Sequence, residues 1–416
     1  MSSVLNRRLL LPALALAILA LLLPSAALAK GKGHGHHGGQ GHHGKHGHHG
    51  HGHHGHGHGH GHHGGNGGHG QQGKGHVANV MTRNLYLGAD LTPAILAPTL
   101  PEFVAANGQI LREVTANNFP VRAEGLADEI LAAEPDLVGL QEVALWRTAE
   151  PSLTPVLTGT PTATTVRYDY LAELLAELGN RYEVVVVQNE FDLEAPADEN
   201  GVAGDGPNPA IADAEINGRL TMRDVILARR GAGVQTQNPQ SANFTTNLVV
   251  TVSGVPITVK RGWTATDAKV RGTGWFRFVN THLEAFQPLI RQAQAAELVA
   301  PTGPATSELP VVLVGDLNSD DDTVEGADRL AYETLLAAGM VNRSTDDPLS
   351  CCLDSSLLEV GKGGSEADFD HQVDHILTRD PDQVTLVDSQ VSGIQPVNGF
   401  WNSDHAGVFS ALRFHR

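Results

Sequence analysis

Cysteine is nearly absent from the 416 residues, and the only two, Cys351 and Cys352, are neighbours. That excludes a small scaffold stapled by several disulfides. Aromatic residues make up only 5% of the chain, and one long apolar run replaces the repeated spans of about 20 residues that a multi-span membrane protein needs. Charge is sparse as well: 28 basic residues stand against 46 acidic ones, a formal net charge of −18. From residue 77 onward the balance is −24, because every acidic residue lies there with only 22 of the basic ones. Such a field repels polyanions, so tight binding of DNA by charge alone is not expected, and any phosphate chemistry leans on divalent cations.

What is present begins with a leader. Arg7 and Arg8 precede the apolar run 9–23, and Ala27-Leu28-Ala29 forms a small-residue pattern before Lys30. These features predict a signal peptide over residues 1–29, with a secreted or periplasmic product and no stable membrane span. The alternative is a permanent single-helix anchor, and no basic stop-transfer flank follows the run to support it. Residues 30–76 read as a disordered tract, since positions 31–76 hold 18 His and 21 Gly and no apolar periodicity that could build a core. Imidazoles at that density can chelate Zn(II), Cu(II) or Ni(II); a solvated spacer is the equal alternative. The remaining 340 residues, 77–416, suit one large domain.

Within 77–416 the periodicity alternates between strand and helix. Strands are predicted at 77–82, 137–140, 182–187, 224–228, 248–252, 276–279, 311–314, 375–378 and 407–412, several of them continuous apolar runs that suit burial on both faces. Helices are predicted at 121–133, 170–178, 288–299 and 326–338. Polar, Gly/Pro-rich segments at 91–108, 149–167, 191–219 and 264–274 read as long loops on one rim.

The strands end in chemistry. The first ends in Arg83-Asn84, LVGLQEV delivers Glu142, FVNTHLE delivers Asn280 and His282, VVLVGDLNSD delivers Asp316 and Asn318, HQVDHILTR carries Asp374, and WNSDHAG carries Asp404-His405. Rigid strands that stop in Asn, Glu, His or Asp are how a sheet presents reactive groups at one edge. In this order, from Asn84 to His405, the motifs resemble those of the endonuclease/exonuclease/phosphatase superfamily, with LQE, NTH, GDLN, a VDHIL segment and a terminal SDH.

The resemblance implies an α/β fold of four layers, two mixed β-sheets packed face to face with helices outside. It implies a phosphoester hydrolase in which Glu142 and Asp404, with Asn84 beside them, hold Mg(II) or Mn(II). His405 is then the general base oriented by Asp374, Asp316 and Asn318 position nucleophile and phosphate, and His282 donates to phosphate oxygens or to the leaving group. Arg223 sits where some secreted nucleases place a phosphate-binding arginine, a looser match. Each residue also has a plain structural reading as a surface carboxylate, a cap or a turn. His371 and His375 fall outside the matched positions and read as surface or packing residues. Asp90 and the run Asp320-Asp321-Asp322 read as solvated acidic turns. For Cys351-Cys352, a vicinal disulfide, buried thiols and an intermolecular bridge all stay open. A phosphodiesterase acting on nucleic acid is the first expectation, and a phospholipase-C- or sphingomyelinase-type phosphodiesterase or a phosphatase is the second. An extracellular metal-binding protein with an idle domain is the non-enzyme alternative.

Overall fold

Apolar runs with no polar alternate call for strands covered on both faces, and the computed structural model places them there. It describes residues 76–202, 204–320, 328–344, 349–354, 356–357, 368–380 and 382–415. The expected signal peptide, the His/Gly tract up to residue 75, Asp321 and Asp322 lie outside the described residues. In chain order the strands are β1 (His76–Asn84), β2 (Leu137–Gln141), β3 (Leu145–Ala149), β4 (Thr165–Asp169), β5 (Tyr182–Ala197), β6 (Ile216–Arg229), β7 (Gln235–Asn243) and β8 (Leu248–Val252). They continue with β9 (Val255–Val259), β10 (Gly262–Lys269), β11 (Phe276–His282), β12 (Val311–Asp316), β13 (Val341–Asn342), β14 (Asp374–Arg379), β15 (Val384–Ser392) and β16 (Gly407–Phe414). The α-helices are α1 (Thr92–Ile95), α2 (Leu100–Ala116), α3 (Phe119–Ala133), α4 (Thr154–Thr158), α5 (Tyr170–Leu178), α6 (Pro288–Val299) and α7 (Leu330–Ala337).

Two mixed sheets carry the core. The first runs β15-β16-β1-β2-β6-β3-β4, and β5 pairs along the other edge of β6. The second runs β13-β14-β12-β11-β10-β7, while β8 and β9 form a separate hairpin. Between the sheets, Val80, Leu137 and Ile226 meet Phe276, Phe278, Val312 and Ile376. Helices α2, α3 and α5 cover the outer face of the first sheet through Leu111, Leu126, Ile130 and Leu174. Helices α6 and α7 cover the second through Ala295, Leu298 and Leu335. The result is the expected four-layer α/β sandwich. Among the described residues no helix is long and apolar enough to cross a membrane.

The four predicted rim loops are mostly regular structure. Residues 91–108 hold α1 and half of α2, whose first turn is capped by Thr99 and opened by Pro101. Asn107-Gly108 disguised that helix. Gly108 is needed there because a Cβ would sit 1.6 Å from the Asp198 carbonyl. Residues 149–167 contain α4 and the start of β4. Residues 191–219 contain the far half of the β5–β6 ribbon, whose polar side chains pair inward: Glu194 accepts from the Ala163 amide at 2.7 Å and from Asn217 at 2.8 Å. Residues 264–274 are mostly β10, where Asp267 takes Arg277 as its partner at 2.6 Å. The last predicted helix, 326–338, is helical from Leu330.

Candidate active site

Strand register brings the motif residues to one edge. Strands β1 and β2 are parallel with Asn84 opposite Gln141, so Asn84 and Glu142 leave the first sheet side by side. In the second sheet β11 and β12 are parallel with His282 opposite Asp316, and β14 runs antiparallel so that its first residue, Asp374, faces Asp316. Strand β16 is antiparallel to β1, which returns the Asp404-His405 turn to the end of β1. Gly315 makes the close approach possible: with φ +154, its Cβ would lie 2.1 Å from the Thr281 carbonyl. Glu142 and Asn318 themselves sit at positive φ, 54° and 47°, backbone strain of the order of 1–3 kcal/mol each that functional sites commonly hold.

Buried arginines fix these turns. Arg83 is paired with Glu129 and donates to the His405 carbonyl. Arg122 donates to the carbonyls of Leu85 and Asn402, each at 2.9 Å, joining the chain after Asn84 to the chain before Asp404. Arg291 bonds the carbonyls of Glu284, Ala285 and Asn318, behind His282 and Asp316.

The contacts at the edge form a connected set. His405 Nδ1 lies 2.8 Å from Asp374 Oδ2, and its Nε2 faces Asp316 Oδ2 at 3.7 Å and Asp404 Oδ1 at 4.0 Å. Burial disfavours charge on this ring, yet the carboxylates of Asp374, Asp316 and Asp404 outweigh it and hold His405 well above the ordinary histidine pKa. Asp316 receives the Asn84 side-chain amide at 2.9 Å and the Asn318 backbone N–H at 2.8 Å. His282 Nε2 lies 3.4 Å from Asp316 Oδ2 and 4.0 Å from Glu142 Oε1.

His282 differs from His405 in its second nitrogen. Its Nδ1 is 3.0 Å from Arg261 Nη1, and a guanidinium only donates, so Nδ1 is the acceptor and the proton of the neutral ring sits on Nε2. Burial, then the charges of Arg261 and His405, depress its pKa well below the usual value. The two histidines therefore differ: His282 turns a donating Nε2 toward Asp316 and Glu142, whereas His405 Nε2 accepts a proton only in the neutral ring, which its three carboxylate neighbours disfavour. Behind Arg261 lie Glu190, 3.9 Å away, and Asp224, both buried. Burial pushes Glu190 up to about 8 and Asp224 well above the carboxylate range.

Glu142 and Asp404 are the open members of the set. Their side chains are 15% and 18% exposed, against 1% for Asp316 and 0% for Asp374. Burial raises both pKa values, Asp404 to about 6 with Glu142 adding repulsion. Among the described residues neither carboxylate has a lysine or arginine within ion-pair distance. Three tight groups of metal-type side chains also occur there: Asp316, Asp374 and His405; Glu190, Asp224 and His282; and Cys351, Cys352 and His405. Glu142 and Asp404 belong to none of them. Two hard, mutually repelling carboxylates open to water fit Mg(II), which keeps several waters and takes one or two protein carboxylates.

Arg223 departs from the expectation. Its Nε and Nη2 donate to the carbonyls of Val143 and Ala144 and pair with Asp169 at 2.6 Å, so it holds the turn after Glu142 instead of standing open to phosphate. His375 is buried, bonded to the Ser319 carbonyl and stacked on Tyr332, and His371 pairs with Asp370. Asp90 caps Thr92. Cys351 and Cys352 are bonded to each other, with Cys351 Sγ 3.8 Å from His405 Nε2. Sequence reasoning missed Arg261 and Glu190, and named Arg83 without its role, because their contacts cross strands and leave no local spacing.

Solved structures with a similar fold include an endonuclease/exonuclease/phosphatase family protein of Bacteroides thetaiotaomicron (15% identity, 82% of this chain and 99% of that one, TM-score 0.44). A mannosyl-6-phosphatase of the same species (16%, 81% and 100%, TM-score 0.42) and D. rerio TDP2 complexed with a single-strand DNA product (16%, 81% and 99%, TM-score 0.45) are also similar. No curated protein matches the chain. The sequence model of the endonuclease/exonuclease/phosphatase family matches residues 106–405, from α2 through His405. The chain belongs to that family, and it is a metal-dependent phosphoric ester hydrolase.

Proposed function

We propose that the protein is a secreted phosphodiesterase in which His405 takes a proton from the attacking water. The observation that carries this reading is the 2.8 Å His405–Asp374 pair, whose other nitrogen lies 3.7 Å from Asp316 and 4.0 Å from Asp404, a carboxylate that lines the open cavity with Glu142. Asp374 accepts from Nδ1, which leaves Nε2 to receive the water proton and stabilises the imidazolium that results. Asp316, held by Asn84 and Asn318, lies between the two histidines and orients the water. His282 donates its Nε2–H to a phosphate oxygen as charge builds there. Glu142 and Asp404, with Asn84 alongside, would hold Mg(II) or Mn(II), which when bound polarises the phosphate and offsets charge on the leaving oxygen.

The test is hydrolysis of bis-p-nitrophenyl phosphate with Mg(II). His405→Ala is expected to lower kcat by about 10²–10⁴-fold, the usual size of a lost general base. An unchanged kcat in a folded variant would overturn the mechanism.

Export is supported by the leader motif alone, and the exported chain is expected to begin at Lys30. The His/Gly tract is proposed to bind Zn(II), Cu(II) or Ni(II) independently of the site. Of the two substrate classes, nucleic acid led on sequence. The acidic body and the apolar wall beside Glu142 favour the second, a diester with an apolar arm.

A further inference from the structure

The cleft does not end at the catalytic carboxylates. Glu142, Asp404 and Arg261 line a cavity of about 520 Å³ whose remaining wall is mainly apolar. Leu111 of α2, Leu220 and Met222 of β6, Val250 and Ile257 of the β8–β9 hairpin, and Phe286 line it. Its volume falls in the range of pockets that enclose small organic ligands.

The hairpin lies outside both sheets. Its alternate residues Val250, Val252, Ile257 and Val259 turn toward the cavity, whereas Val249, Thr251 and Thr258 are exposed. That alternation gives the hairpin one apolar face, spent on this chamber.

The chamber's chemistry is selective. Arg261 is the one lysine or arginine among its described lining residues, and it is engaged by His282. Nothing in the lining could track a run of phosphates, and the body's net −24 opposes one. An aliphatic chain, by contrast, gains from every methylene it removes from water.

We propose that this chamber binds the aliphatic arm of the substrate, so that the enzyme cleaves amphiphilic phosphodiesters, phospholipid-like molecules with the phosphate at Glu142 and Asp404 and the chain among the hairpin side chains. The inference rests on the phosphodiesterase reading above. Hydrolysis itself is unchanged: water oxygen bonds to phosphorus, the water proton passes to His405, and the ester P–O bond breaks with the leaving oxygen taking up a proton to depart as the alcohol.

The test uses the full chain with Mg(II) and a series of p-nitrophenyl alkyl phosphates from methyl to dodecyl, which release p-nitrophenolate and leave the alkyl phosphate. Wild-type kcat/KM is expected to rise by about fourfold per methylene until the chamber is full. Ile257→Trp and Val250→Phe, which fill the chamber, are expected to lose the gain with length. The circular-dichroism melt of each variant, compared with the wild type's, reports folding. Dihexanoyl phosphatidylcholine as monomers and a long-chain phosphatidylcholine in vesicles separate a free amphiphile from a membrane lipid, and hydrolysis of either above the methyl-ester rate supports the chamber. A flat length series with the methyl ester still cleaved overturns this inference and leaves the phosphodiesterase reading standing. Preference for single-stranded DNA over every alkyl ester also overturns it. No hydrolysis of any diester by the folded wild type defeats both.

Discussion

At the scale of single residues, one hydrogen bond divides the labour of the two histidines. Arg261 can only donate, so it sets the His282 proton on Nε2, the nitrogen toward Asp316 and Glu142. Arg261→Met is expected to release that tautomer and lower kcat by about tenfold, the lower range for losing an outer-shell partner. Arg261→Lys should restore part of it, and steady-state kinetics on a p-nitrophenyl diester checks both. Behind Arg261, burial raises Glu190 from an ordinary 4.5 to about 8. The folded state thus holds this proton more tightly than the unfolded chain. The resulting stabilisation is complete below the unfolded pKa and is lost as pH rises through about 8. Urea midpoints measured in chelator are expected to fall between about pH 5 and 8.5, and to fall less in Glu190→Gln. A parallel decline in the variant would assign the pH dependence elsewhere.

At the scale of elements, the site is made by strand register, and Gly315 shows how narrowly. Its Cβ would meet the Thr281 carbonyl on the neighbouring strand, so Gly315→Ala pushes β12 from β11 where Asp316 faces His282. The variant is expected to lose about 1–3 kcal/mol in urea unfolding, with kcat reduced as well.

The central strands were legible because burial on both faces writes itself as an unbroken apolar run: Val311–Val314 and Leu137–Leu140 need no context to read. Their polar last residues were legible for the same reason, as breaks in such runs. Edge and ribbon strands were not. No residue of Gln235–Asn243 is buried and most are exposed, and the outer halves of β5 and β6 keep polar residues such as Glu194 satisfied by long-range partners. Helix α2 was lost to Asn107-Gly108, whose reason is packing against Asp198, 90 residues away in sequence from Gly108. The same cause hid Arg261, since only the fold brings it to His282.

At the scale of the whole molecule, charge and shape act together. A body of net −24 is a poor host for a polyanion, and the open cavity beside Glu142 and Asp404 is apolar. Hydrolysis of a short alkyl diester is therefore expected to change little between about 50 and 200 mM salt, whereas a substrate held through several phosphates would lose orders of magnitude in affinity. Rates measured across that range with the octyl ester check this. The His/Gly tract does not confuse such work with Mg(II), because a hard cation prefers carboxylate and water to imidazole.

That preference also isolates the central claim, that Glu142 and Asp404 hold the cation on which hydrolysis depends. The most direct measurement is the Mg(II) dependence of kcat for the wild type and for Glu142→Gln on bis-p-nitrophenyl phosphate, each started from chelated protein. Saturable activation in the wild type, with activity lost or displaced to much higher Mg(II) in the variant, is the predicted result. A wild-type rate indifferent to chelation, or a folded variant that follows the wild-type curve, would contradict it.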